Sequence, residues 1–199
     1  MKKNCNKELR IVVTPCAYSG ISSNREAFFM DKVLVLGALD DFGFEITNLL
    51  LEEGYEVSGI HLQTEGETIY NDRRMEIGRN ANFQEMSLNE WLQQDDFTTT
   101  STVVFLNGFD ENVKRVCVDE YSHVKRKLQS IASNSKSSIV FIHPFTEWEK
   151  RNHNEYEGNV ICFFVSIPHE VKSTNIVEEF ERKEFSSIFR AIMDVVGFR

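Results

Sequence analysis

A glycine-containing turn is the first place in this chain where residue types and spacing predict chemistry. The turn reads Gly37-Ala38-Leu39-Asp40-Asp41-Phe42-Gly43 and follows the apolar run KVLVL of residues 32–36. Where a buried strand passes through such a turn into a helix, backbone amides can hold a phosphate. We therefore predict cofactor contacts from Gly37, Leu39, Asp40, Asp41, Phe42 and Gly43. A glycine turn that serves packing alone is the alternative.

The elements around this turn predict a parallel sheet. Helical spacing of apolar residues follows the turn and ends at Gly54, and a second strand covers residues 56–62. Further apolar runs at residues 102–106, 138–143 and 159–167 alternate with helical patterns at 110–133 and 178–196. A short strand at 82–88 and a short helix at 89–94 complete the pattern. Uniformly apolar strands that alternate with helices predict an α/β fold, a doubly wound parallel sheet in a single domain.

Composition narrows the function classes. The chain has 199 residues and a formal net charge of −9, with 41% hydrophobic and 27% charged residues. These fractions exclude global disorder, and the acidic balance argues against a general nucleic-acid binder. No apolar run reaches the length of a membrane helix. We therefore expect no nucleic-acid partner and no membrane partner.

The cysteines and histidines show no metal-site or disulfide spacing. The four cysteines are far apart and form no C-x-x-C pair, which favours a reducing, cytoplasmic setting. The five histidines lack the H-x-H or H-x-x-x-H spacing of metal ligands. We expect no metal.

The first 29 residues differ from the rest of the chain. They carry a net charge of +3, whereas the remaining 170 residues carry −12. Residues 1–29 could form an extra edge strand, a targeting segment or a disordered arm, or translation could begin at Met30. We expect a disordered or accessory extension before a Rossmann-like domain at residues 30–199.

The string VLVLGALDDFGFEITNLLLEEGYEVSGIH resembles the opening of the short-chain dehydrogenase/reductase superfamily, especially its extended, atypical and NAD-dependent epimerase-like branches. Gly37 and Gly43 match the first and third glycines of the G-x-x-G-x-x-G turn of that superfamily. The resemblance implies a Rossmann domain that binds NAD or NADP. It also implies cofactor contacts from the turn, from His61 and from Asn107-Gly108, although an ordinary strand-ending turn would explain the last pair.

Two departures from the family pattern concern the cofactor. Asp40 stands in place of the second glycine, and we expect it or Asp41 to cap the helix and repel a dinucleotide phosphate. His61 stands where cofactor-binding relatives carry an acid for the ribose. Arg73 and Arg74 could accept a 2′-phosphate, but solvated surface arginines are the favoured interpretation.

A third departure concerns catalysis. The resemblance implies a Tyr-x-x-x-Lys pair after the 138–143 strand, but the literal match, Tyr121 with Lys125, precedes that strand. Thr146 and Tyr156 could replace the family's serine and tyrosine, yet position 160 is valine rather than lysine. Only 31 residues follow Pro168, so we expect a truncated relative with little beyond the core.

Three functions remain open at this point. The favoured one is a catalytically degenerate Rossmann module that senses a ligand or contacts another protein. The second is an active NAD(P)-dependent oxidoreductase or epimerase-like enzyme with unusual catalytic residues. The third is a structural interaction domain that binds no nucleotide. Phe185 and Phe189 on the last helix could contribute to a homodimer contact.

Overall fold

The computed structural model describes residues 11–15, 32–62, 68–94, 102–108, 113, 122–134, 136–144, 158, 160–165 and 182–196. Seven strands are β1 (Ile11–Pro15), β2 (Lys32–Leu36), β3 (Val57–His61), β4 (Phe83–Ser87), β5 (Thr102–Asn107), β6 (Ser138–Pro144) and β7 (Val160–Val165). Five helices are α1 (Asp41–Glu52), α2 (Thr68–Ile77), α3 (Leu88–Gln93), α4 (Ser122–Ser133) and α5 (Arg182–Val196).

All seven strands form one sheet in the order β1-β7-β6-β5-β2-β3-β4. Strands β2 to β7 are mutually parallel, and β1 pairs antiparallel with β7 at the edge. Numbered in chain order, the six parallel strands read 3-2-1-4-5-6, the strand order of the Rossmann fold. The predicted doubly wound parallel sheet is therefore confirmed.

Two apolar layers cover the sheet, one on each face. Val33 and Val35 of β2 point to the layer that contains Phe42 and Ile46 of α1 and Phe189 of α5. Leu34 and Leu36 of β2 point to the opposite layer, which contains Trp91 of α3 and Leu128 of α4. Because successive strand residues face opposite sides, an uninterrupted apolar strand is what a sheet covered on both faces requires.

The sheet places the glycine turn at its topological switch point. Strand β2 lies between β3 and β5, with Leu36 opposite Ile60 on one side and Leu106 on the other. The chain order of the strands reverses at β2, so a crevice opens at its carboxyl end, where ligands bind in open α/β sheets. The turn of residues 37–40 lies at that end, and α1 begins directly after it.

Three features differ from, or add to, what the sequence indicates. Helix α2 is absent from the predicted pattern. Residues 11–15 form an edge strand, one of the arrangements that the sequence left open.

Phe189 is only 3% exposed, and its ring centroid lies 6.1 Å from that of Phe105, so it is a core residue and the expectation that it extends into a dimer contact is wrong. The side chain of Phe185 lies outside the described part.

Candidate functional site

The first βα turn depends on two glycines for different reasons. Gly37 has φ of +73°, a left-handed conformation that side chains with a Cβ adopt only with strain. Gly43, in the first turn of α1, faces the backbone of Gly37: a Cβ at residue 43 would lie 1.9 Å from the Gly37 carbonyl oxygen. The first glycine therefore shapes the turn, and the third allows the helix to pack against it.

Leu39 and Phe42 direct their side chains into the protein. Leu39 is 3% exposed and Phe42 6% exposed, and both belong to the core layer that also contains Val33 and Val35. Both were predicted as cofactor-binding residues. Their burial leaves only their backbone atoms as candidates for contact with a ligand, and that contact stays a prediction.

Asp40 lies at the N-cap position of α1, but its side chain does not cap the helix. Its φ and ψ of −74° and 161° are those of an N-cap residue, yet the carboxylate accepts no hydrogen bond from a helix amide. The residue is 3% exposed, and Oδ1 accepts a hydrogen bond from the hydroxyl of Tyr70 at 2.9 Å. The expectation that the Asp40 carboxylate caps α1 is therefore wrong, because the carboxylate accepts its hydrogen bond from Tyr70 of α2 instead.

The Asp40 carboxylate covers the glycine at the start of the turn. A Cβ on Gly37 would lie 2.6 Å from Asp40 Oδ2 and 2.7 Å from Cγ2 of Val113, so both side chains occupy the space that the missing side chain leaves. Three amides of the turn also donate within the protein: those of Gly37 and Ala38 to the Ile60 carbonyl, and that of Asp40 to the Gly37 carbonyl. The chain's own groups thus fill part of the cradle that a phosphate would occupy.

Arg73 of α2 also contacts this turn. Its Nη1 donates to the Leu39 carbonyl oxygen at 2.8 Å, and its Nη2 pairs with the carboxylate of Asp41. The guanidinium carbon lies 5.3 Å from the centroid of the Phe44 ring, within the range of a cation–π contact. Its side chain is only 16% exposed, so the interpretation of Arg73 as a solvated surface residue is wrong.

His61, at the carboxyl end of β3, lies beside an acid that the neighbouring strand supplies. Its Nδ1 is 3.2 Å from Oε1 of Glu85 in β4. Arg74 of α2 donates from Nε to both carboxylate oxygens of Glu85 at 2.8 Å, so Arg74 is a paired residue too. An acid thus lies beside His61 on the neighbouring strand, held by a helix that the sequence pattern does not reveal.

Gly108 and His143 meet where β5 and β6 end. The Gly108 amide donates to the Ile142 carbonyl at 2.6 Å, and a Cβ on Gly108 would lie 2.4 Å from Nδ1 of His143. His143 is 1% exposed, and its ring stacks on that of Phe141 at 5.3 Å and 12°. Asn107 ends β5, and its side chain is outside the described part. Sequence analysis missed His143, whose only signal was its place at the end of an apolar strand.

The catalytic candidates are not brought together among the described residues. Lys125 is exposed on α4, the helix that precedes β6. Tyr121, Thr146 and Tyr156 lie outside the described residues. Val160, at the position where spacing from Tyr156 would require lysine, is a buried residue of β7.

The described part of the chain contains no group of three or more His, Cys, Asp or Glu side chains arranged to hold a metal ion. None of its helices combines the length and the apolar character needed to cross a bilayer.

A cavity of about 420 Å³ lies between α2 and β4, lined by Arg74, Met75, Gly78, Arg79, Phe83 and Glu85. That cavity includes none of the predicted cofactor-binding residues.

No protein-family description and no curated protein matches the sequence. Among solved structures, a short-chain dehydrogenase from Streptomyces avermitilis matches with a TM-score of 0.45 and 14% identity, over 83% of this chain and 84% of that one. UDP-glucuronic acid 4-epimerase from Bacillus cereus, solved as a variant with NAD and a substrate analogue, matches with a TM-score of 0.43 and 16% identity, over 80% and 52%. Yeast methylglyoxal/isovaleraldehyde reductase in complex with NADPH matches with a TM-score of 0.38 and 18% identity, over 57% and 37%.

The assignment of the fold rests on the strand order and the glycine turn, which are those of the Rossmann fold. The fold that the resemblance of residues 30–62 implied is thus confirmed by the strand order. The chain spans about a third of the length of the yeast reductase and about half that of the epimerase.

Proposed function

We propose that this protein is a catalytically degenerate relative of the short-chain dehydrogenase/reductases, a Rossmann module that senses a ligand or contacts another protein. Its first βα turn keeps the shape of a dinucleotide site but is partly filled by the chain itself. One observation carries the proposal: the Asp40 carboxylate is buried against the turn and accepts a hydrogen bond from Tyr70 at 2.9 Å.

The electrostatics of the turn favour weak binding of a dinucleotide. Asp41 is paired with the guanidinium of Arg73, and Oδ1 of Asp40 accepts a hydrogen bond from the Tyr70 hydroxyl. A phosphate about 4 Å from an Asp40 carboxylate would be repelled by about 4 kcal/mol at an effective dielectric of about 20, before salt screening. The positive end of α1 offsets part of this repulsion. NAD or NADP therefore remains a ligand of the proposed module, with reduced affinity.

The residues proposed for proton transfer support catalytic degeneracy. Chemistry of the family's kind needs a tyrosine whose pKa is lowered by a lysine one helical turn away. Lys125 lies exposed on the helix before β6, and Val160 takes the place of the lysine that Tyr156 would need. Cys162 of β7 is buried and forms no disulfide among the described residues, which is consistent with the reducing, cytoplasmic setting that forms part of the proposal.

Thermal unfolding with added cofactor tests the proposal. A ligand that binds only the native state stabilises it by RT ln(1 + [L]/Kd), so the melting temperature rises with the logarithm of the ligand concentration once that concentration exceeds the Kd. We expect NAD(H) or NADP(H) to shift the melting temperature of the wild type only at millimolar concentration, and Asp40→Gly to give a larger shift at the same concentration. Asp72→Asn, which removes an exposed carboxylate from α2, is the matched control and should behave as the wild type.

Two outcomes would contradict the proposal. A flat response of both the wild type and Asp40→Gly to all four cofactors would exclude a dinucleotide ligand. Turnover of a carbonyl or alcohol substrate by the wild type, lost on Tyr121→Phe or Tyr156→Phe, would exclude catalytic degeneracy.

A further inference from the structure

We propose that helix α2 is a latch over the first βα turn, and that the turn accepts a ligand only when α2 is released. The latch is made by Tyr70, which holds Asp40, and by Arg73, which holds Leu39 and Asp41. This inference rests on the proposed function, because it describes how access to the same site is regulated.

One face of α2 makes all of these contacts. Residues at spacing i, i+3, i+4 and i+7 share a face of a helix. On α2, this face comprises Tyr70, Arg73, Arg74 and Ile77. The first two hold the turn, Arg74 holds Glu85 in β4, and Ile77 is 2% exposed in the core. Helix α2 is therefore docked through these four residues, of which three are polar.

The exposed side of α2 contributes little that would keep the helix closed. The helix has ten residues, and Asn71, Asp72, Met75 and Glu76 on its other side are exposed. Isolated helices of this length are marginal in water, so the docked state depends on tertiary contacts. Segments with few buried apolar contacts open locally at a fraction of the global cost of unfolding. Release would expose the buried side chain of Ile77 and the partly buried ring of Tyr70, which packs against the core.

Release of α2 would change the turn itself. In the closed state, the Tyr70 hydroxyl holds one oxygen of Asp40 while the other covers Gly37. Loss of that hydrogen bond removes the contact that joins the Asp40 carboxylate to α2, so that a shift of the carboxylate away from Gly37 costs less free energy. The apparent affinity for a ligand of the turn then equals the intrinsic affinity multiplied by the fraction of molecules in the open state.

Hydrogen exchange of the ligand-free protein tests the latch without any cofactor. Tyr70→Phe removes the hydroxyl and keeps the ring, which packs against the core. We expect amides of residues 37–40 and 68–77 to exchange at least fivefold faster in Tyr70→Phe than in the wild type, with β2 and β5 unchanged. Tyr55→Phe is the matched control, because Tyr55 is also half-buried against that core but lies outside α2, and it should leave α2 unchanged.

Affinity separates a latch from a merely structural tyrosine. Loss of a structural hydrogen bond would leave binding unchanged or weaken it, whereas loss of a latch tightens it. We expect Tyr70→Phe to lower the Kd for NADPH severalfold while the Asp40 charge is intact. Arg73→Gln should act in the same direction, and Arg79→Gln, which changes an exposed arginine just after α2, should have no effect.

Failure of the latch and failure of the proposed function give different results. Asp40→Asn removes the charge but keeps an oxygen for the Tyr70 hydroxyl, so it leaves the latch in place. If neither Asp40→Asn nor Tyr70→Phe binds NADPH, the dinucleotide-sensing part of the proposed function is overturned, and hydrogen exchange still decides on the latch. If Tyr70→Phe leaves exchange in α2 unchanged, or accelerates exchange equally in β2 and β5, the latch is overturned. If it speeds exchange in α2 but leaves the Kd of a protein that binds NADPH unaltered, the latch does not control the site and is likewise overturned.

Discussion

The hydroxyl of Tyr70 donates a hydrogen bond to Oδ1 of Asp40 at 2.9 Å, across thirty residues of sequence. This contact joins the cofactor-type turn after β2 to a helix that begins one strand later. It also gives a buried carboxylate a polar partner, without which burial of a charge is costly. The same interaction therefore holds the Asp40 side chain beside Gly37, in the turn where we propose that a dinucleotide phosphate binds.

The close approach of Gly43 to Gly37 predicts that a single methyl group added at residue 43 strongly destabilises the folded protein. Gly43→Ala would place a Cβ 1.9 Å from a backbone oxygen, which cannot move aside without shifting β2 or α1. We expect a loss of about 3 kcal/mol or more in the free energy of unfolding. Urea denaturation measures it, and Gly54→Asn, at a position with φ of +88° and open space, is the control with a small effect. A stable Gly43→Ala protein would show that α1 does not pack against the turn as described.

The burial of Phe189 predicts that its loss weakens the monomer rather than a dimer. Truncation of a buried phenylalanine costs about 3–5 kcal/mol, from the lost burial and the cavity left behind. Phe189→Ala should therefore lower the melting temperature by the same amount at every protein concentration, whereas Arg190→Ala, at an exposed neighbour, should leave it nearly unchanged. A melting temperature that depends on concentration only in the wild type would instead place Phe189 in an interface.

A capping box at the start of α3 predicts a dependence of stability on pH. The Ser87 amide donates to Glu90 Oε2 at 2.6 Å, and the Glu90 amide donates to Ser87 Oγ at 3.2 Å. The backbone of Ser87 lowers the pKa of Glu90, and the Ser87 hydroxyl and a charge on His61 act in the same direction. A carboxyl whose pKa is lower in the folded state contributes stability above its unfolded pKa, and that contribution is lost as the pH falls through the folded pKa.

Substitution of Glu90 checks the sign of this effect. Glu90→Gln should be less stable than the wild type at pH 7, and the difference should shrink on acidification below the ordinary range of a glutamate. Chemical denaturation at several pH values measures the difference. Glu76→Gln, at an exposed carboxylate of α2, is the control and should show no such trend. A difference that is the same at every pH would mean that the Glu90 charge takes no part in the cap.

The fold was predictable because its strands are uniformly apolar. Runs such as KVLVL of β2 and SIVFIH of β6 contain enough consecutive hydrophobic residues to be recognised as buried strands. The glycine turn between β2 and α1 then predicted the first βα unit. The described part of the long predicted helix before β6, α4 at Ser122–Ser133, follows from the same periodicity.

Helix α2 could not be predicted in this way, because it docks through polar side chains. Only Ile77 of its docked face is a buried aliphatic residue, whereas Tyr70 and Arg73 find partners thirty residues or more earlier in the chain. Sequence patterns register apolar spacing, but they carry no signal for a hydrogen bond between distant residues. For this reason the turn was identified from the sequence, whereas the side chains that close it were not.

The affinity of the turn for a dinucleotide, measured with and without the Asp40 carboxylate, tests the central claim most directly. Titration calorimetry with NADPH should give a Kd at least tenfold lower for Asp40→Gly than for the wild type, a change of about 1.4 kcal/mol. Asp72→Asn should match the wild type. An equal Kd for the wild type and Asp40→Gly would contradict the account, because it would show that the carboxylate beside Gly37 does not obstruct the phosphate site.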